Sequence, residues 1–112
     1  MSSAHDPMDL LAQDFLEAWQ EAHGVKSGRA SALSGPDHMA IIIDGSFSQA
    51  ERKLAEGQTG ENLLRQYAIE LLNQICDQMA AHIQQVAGRQ VVSSDVNVSP
   101  DIDQVMFIFK FE

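Results

Sequence analysis

Asp95, Asn97, Ser99, Asp101 and Asp103 alternate with other residues in the last fifth of the chain. Oxygen-bearing side chains at every second position are the ligand pattern of a calcium loop. The pattern fails at its two demanding places. Pro100 stands where such a loop turns on glycine, and Met106 where it closes with a bidentate glutamate. A solvated strand edge and turn accounts for the same spacing, so no metal is expected. The histidines His5, His23, His38 and His82 are too far apart in sequence for a paired zinc motif, and Cys76 stands six residues from His82. Cys76 is expected to be a small buried hydrophobe, since a helix-interior position offers a thiolate nothing to stabilise it. His82 falls in an apolar helical seam and is expected to be a hydrogen-bonded core or interface histidine. Serine, histidine and aspartate are all present but form no recognisable nucleophile, base and orienter set. Gly24 with Gly28, and Gly57 with Gly60, lack the Lys and Ser/Thr that complete a phosphate loop. Lys26 with Arg29 and Arg52 with Lys53 are the only basic clusters, and in an acidic protein such pairs mostly form surface ion pairs. No catalytic residue and no cofactor are therefore assigned, and the chain is not expected to be an enzyme.

The elements that position these groups are easier to read. Asp6 caps a first helix, Pro7 suits its first position and Gly24 ends it. Met8, Leu11, Phe15, Ala18, Trp19 and Ala22 make one apolar stripe along it. Five acids and no base lie between Asp6 and Glu21, so the outer face of this helix is negative. Ala30–Leu33 and Met39–Ile43 read as a hairpin around the Ser34–Asp37 turn. Ser48 and Glu51 form a capping box for a short helix, Gln49 to about Glu56, stopped by Gly57. Thr59 is the expected cap of a long helix, about Glu61 to Ala87, whose seam runs through Leu64, Ala68, Leu71, Ile75, Met79, His82 and Val86 and is widened by Leu72, Cys76 and Ile83. Gly88 stops it. Arg89–Val96 and Gln104–Phe111 read as a second hairpin around a turn at Asn97–Asp101.

Val105, Phe107, Phe109 and Phe111 share one face of the last strand, while Met106 and Ile108 share the other; Ala40 and Ile42 likewise back Met39, Ile41 and Ile43. Strands apolar on both sides predict a sheet covered on both faces. The long helix is expected on one face, and the first helix or a second copy on the other.

The fold class expected is α+β: a four-stranded, mainly antiparallel sheet from two β-hairpins, with an N-terminal helix, a short capped helix and one long helix packed on the sheet. Residues 1–6 are expected to be a disordered N-terminus and residues 7–112 a single domain. The chain has 112 residues, 45% hydrophobic, with 16 acids against 7 bases and a net charge of -9. That composition is one of a folded chain, and its acidity argues against a nucleic-acid partner. The longest apolar runs, Met39–Ile43 and Val105–Phe109, are five residues, against roughly 20 for a membrane span, so no direct membrane insertion is expected. A single cysteine and the lack of a basic-then-apolar leader suit a cytoplasmic protein.

Two segments resemble one bacterial family: Asp44-Gly45-Ser46-Phe47-Ser48-Gln49-Ala50-Glu51-Arg52-Lys53-Leu54-Ala55, and Val91–Val96 followed by Asp101, Asp103 and Val105–Phe109. The family, formerly a bacterial domain of unknown function, is that of the C component of a sodium-translocating, membrane-potential-generating system. The resemblance covers about Phe15 to Phe111. It implies a small protein tied to a membrane system for ion or inorganic-carbon uptake, and it carries no catalytic residues with it. His23–Arg29 departs from the family's Gly-x-Gly-Pro-type entry to the first strand.

Two functions follow as expectations. The first is a non-enzymatic accessory or regulatory protein, working as a homodimer and contacting a membrane transport protein. Its interface residues would be Leu11, Phe15, Trp19, Ile42, His82, Met106 and Ile108. The second is a small-molecule-binding or enzymatic domain with a pocket between sheet and helices.

Overall fold

The computed structural model describes residues 6–112, so residues 1–5 of the expected disordered N-terminus lie outside it. Its elements are α1 (Pro7–His23), β1 (Arg29–Ser34), β2 (His38–Asp44), α2 (Gln49–Leu54), α3 (Gln58–Ala87), β3 (Val91–Ser99) and β4 (Gln104–Phe111), with a 3-10 turn at Pro100–Ile102 before β4. All strand pairs are antiparallel and the sheet order is β1-β2-β4-β3. This is the expected α+β architecture. The two hairpins join through β2 and β4, which are central, and β1 and β3 are the edges.

Local chemistry explains most boundaries. Asp6 accepts the Met8 N–H at 2.9 Å at the head of α1, and Gly24, at φ 83°, donates to Gln20 O to close its end. The capping box of α2 is reciprocal: Ser48 Oγ accepts from Glu51 N at 3.1 Å, and Glu51 Oε1 accepts from Ser48 N at 2.9 Å. The start of α3 differs from expectation. Gly57 is its N-cap, without a side-chain bond, and Thr59 lies exposed inside the first turn. The crossing with α2 sets this start. Gly60 packs so closely that a Cβ there would sit 2.0 Å from the Leu54 carbonyl oxygen.

The last hairpin also shifts. β3 begins at Val91 and runs to Ser99 rather than ending at Val96. A bulge between Val91 and Ser93 leaves Val92 exposed and turns Val96 and Val98 inward, opposite Phe107 and Val105. The reversal is the 3-10 turn, closed by Asp103 in the left-handed region at φ 55°.

α1 and α3 lie side by side on the same face of the sheet, α1 over β1 and β2 and α3 over β3. Four strands are about 19 Å wide, whereas one helix covers about 10 Å, so one face takes both helices. Of the two covers expected for the second face, the first helix or a second copy, the first helix is thereby excluded. The buried core joins Leu11, Ala12, Phe15, Leu16 and Trp19 of α1 to Leu64, Leu72, Ile75 and Ile83 of α3, over Met39, Ile41, Ile43, Phe107 and Phe109. Phe15 sets its ring edge-on to Phe107 at 4.8 Å and Phe109 at 5.9 Å. The seam of α3 is centred on Leu72, Cys76 and Ile83; Leu71, Met79, His82 and Val86 lie at its half-buried margin.

Candidate functional site

The face of the sheet away from the helices has no covering layer within the described residues. The register defines it row by row. Leu33, Ala40, Ile108 and Asp95 cross the sheet as one row, and Ser31, Ile42, Met106 and Asn97 as the next. Leu33 is 62% exposed, while Ala40, Ile42, Met106 and Ile108 shield one another to an intermediate degree. A shallow hollow of about 220 Å³ lies against Leu33, Gly35, His38, Ala40 and Ile108. Polar rows flank the apolar pair. His38 and Lys110 stand at one end; Asp44 stands at the other and accepts from Gln104 Nε2 at 3.0 Å. Three residues expected at an interface, Ile42, Met106 and Ile108, thus come together on one surface.

Leu11, Phe15 and Trp19 do not join them. Each is 0% exposed beneath the chain's own sheet, and the Trp19 indole N–H donates to Ser46 O at 3.1 Å. Their apolar stripe is used internally, so in this fold no partner reaches them. His82 stands apart again. Its Nε2 lies 2.9 Å from Asp14 Oδ2, with side chains 40% and 45% exposed, so it bridges α3 to α1 at the surface rather than within the core. Beyond this pair, Asp9, Glu17 and Glu21 project from α1 into solvent.

His23 escaped sequence reasoning. Its side chain is 1% exposed, and Nε2 lies 2.7 Å from Glu51 Oε2. The ring stacks on Trp19 at 4.5 Å and meets Phe47 edge-on at 6.0 Å. Nδ1 is buried without a partner. The spacing of Trp19 and His23, one helical turn apart, was readable; nothing in the sequence links residue 23 to residue 51. The pair ties the end of α1 to the first turn of α2, which Glu51 also caps.

The alternating acidic run does not converge. Asp95 lies on the outer face of β3, Asp101 is exposed in the 3-10 turn, and Asp103 turns back into the chain. Asp103 Oδ1 accepts from Phe47 N at 2.8 Å, Oδ2 lies 3.3 Å from Arg52 Nη1, and its carbonyl accepts from Gly45 N and Ser46 N. It is a structural hub that fixes the β2–α2 connection. Among the described residues no group of three or more His, Cys, Asp or Glu side chains is placed to hold a metal ion. An open cleft of about 510 Å³ between α2, the head of α3 and the 3-10 turn is lined by Arg52, Glu56, Glu61, Asp101 and Asp103 among others. Burial, reinforced by Asp77, pushes the Cys76 thiol from 9.0 up to about 11, so it is a protonated thiol at neutral pH.

The space between helices and sheet, where a ligand pocket was the second expectation, is filled at its centre by Phe15, Trp19, Phe107 and Phe109. A hollow of about 230 Å³ remains at one end, against Met8, Met39, Val86, Arg89 and Phe111. No helix among the described residues is long and apolar enough to cross a membrane.

Comparison with known proteins agrees with the resemblance in the sequence. The family model described as Na+-translocating membrane potential-generating system (MpsC) matches residues 11–112. A search of curated proteins finds no match. The chain belongs to the MpsC family.

Proposed function

From membership of that family and from the uncovered sheet face, we propose that this protein is a non-enzymatic accessory or regulatory component of a membrane system for sodium or bicarbonate transport or for membrane potential. It works in the cytoplasm as a homodimer, through protein–protein contact. The observation that carries this reading is the paired apolar rows of the outer sheet face, Ala40 and Ile108 beside Ile42 and Met106, which a chain acting alone would leave in water. The acidic outer face of α1, with Asp9, Glu17 and Glu21, suits a basic cytoplasmic segment of a membrane partner.

The test is made in the native organism. Deletion of the gene is expected to give a growth defect relieved by carbon dioxide or bicarbonate. The tagged protein is expected to co-purify with a detergent-solubilised membrane transport protein. Replacing Asp9, Glu17 and Glu21 together by lysine is expected to abolish that co-purification while leaving the circular dichroism spectrum unchanged. Normal growth of the deletion strain together with no co-purification of the tagged wild-type protein overturns the reading.

A further inference from the structure

Resting on the homodimer proposed above, though not on the membrane system, we infer that two copies stack outer sheet face to outer sheet face, about a two-fold axis running across the strands. Four strands about 4.8 Å apart, paired over about seven residues of about 3.3 Å each, present a face of roughly 19 by 23 Å. Corrugated by its side chains, a stacked pair of such faces removes on the order of 1,000 Å² from water, the lower bound for a stable pair.

The charge layout selects the axis. Asp44 stands at one end of the two central strands and His38 and Lys110 at the other, with the apolar rows between them. A two-fold parallel to the strands would lay like ends together and set the His38–Lys110 row against the same row of the second copy. A two-fold across the strands swaps the ends. Asp44 of one chain then faces the His38–Lys110 row of the other, and the row of Ala40 and Ile108 meets the row of Ile42 and Met106. Arg29, beside Asp44 on β1, comes over the Gly35–Asp37 turn of the second copy. Asp95 meets the row containing Asn97. No like charges oppose one another in this arrangement, and it is the aligned sandwich that two twisted sheets prefer.

Light scattering or sedimentation at micromolar concentration tests it. The wild-type chain is expected at a two-chain mass. Ile42→Asp and Ile108→Asp, each on the outer face, are expected at a one-chain mass with an unchanged circular dichroism spectrum. Asp44→Lys and Lys110→Asp are each expected to weaken association about tenfold, and the two together to restore it to within about threefold. Within one chain these residues sit at opposite ends of the sheet, so the rescue reports a contact between copies. A one-chain wild-type mass overturns the homodimer and the stacking alike. A dimer that survives both Ile→Asp variants overturns the stacking alone and points to pairing through the edge strands β1 or β3. A dimer broken by Ile108→Asp but without charge-swap rescue overturns the direction of the axis.

Discussion

Truncating Ile41 and truncating Ile42 to alanine delete the same atoms from neighbouring residues on opposite faces of β2. Ile41 is 0% exposed beneath α1. Losing three carbons costs about 2.5 kcal/mol, at about 0.8 kcal/mol per methylene. A residual void on the order of 50 Å³ adds about 1 kcal/mol, at about 24 cal/mol per Å³. Ile41→Ala should therefore cost about 3 to 4 kcal/mol at any protein concentration. Ile42 faces outward between Ala40, Met106 and Ser31, and in a single chain water fills the space that its truncation opens. The transfer term is then incomplete and the void term absent, leaving about 1 kcal/mol. Urea titrations in the most dilute measurable solution give both values, with the slope m as the check on two-state behaviour. Raising the protein concentration should stabilise the wild type by mass action, stabilise Ile42→Ala less, and leave the Ile41→Ala deficit unchanged. If the two variants lose equally in dilute solution, the outer face is covered by the chain itself and the reasoning fails.

Asp103→Ala should cost about 2 to 3 kcal/mol by urea titration. It strands the Phe47 N–H and puts alanine at φ 55°, whereas Asp103→Asn keeps an acceptor, tolerates that φ and should lose about 1 kcal/mol. Gly60→Ala forces α2 and α3 apart at the Leu54 carbonyl and should cost about 3 kcal/mol or abolish soluble expression, against about zero for Gly57→Ala, where a Cβ meets nothing. Cys76 should react with Ellman's reagent only on unfolding at pH 8. The folded thiol ionises at about 11 against 9.0 when unfolded, so its contribution to stability is complete below pH 9 and is lost as pH rises from about 9 to about 11. Cys76→Ala should remove that alkaline loss from the melting curve. His82→Ala should change stability by less than about 0.5 kcal/mol, because the pair with Asp14 is solvated on both sides.

The element order, the caps at Asp6 and Ser48 and the inward residues of β2 and β4 were legible because each is written locally, in spacing or in a cap three residues long. The layer arrangement was not. Alternation in Val105–Phe111 and Met39–Ile43 shows that both faces are apolar, but hydrophobicity carries no label for what covers it. Only the width of a four-stranded sheet decides that α1 and α3 share a face. That same fact puts Phe15 and Trp19 beneath the chain's own sheet and leaves Ile42, Met106 and Ile108 on the outer face. His82 is hydrogen-bonded as expected, but it lies at the margin of the seam rather than its centre, because the seam of α3 turns by about one residue's rotation. His23 and Asp103 depend on partners 28 and 56 residues away, and no pattern along the chain announces such pairs. Thr59 looked like a cap because its type is right; the close approach at Gly60 overrides it.

The central position of β4 has a consequence for synthesis. Of the four strands β4 comes last in sequence, yet it alone bridges β2 to β3. At about 5 to 20 residues per second, β2 waits roughly 3 to 12 seconds after its synthesis for the strand that fills its second edge. Until residue 104 and those after it are made, β2 and β3 have no strand between them. Closure of the sheet is therefore a late step, and a chain cut before β4 keeps only the first hairpin.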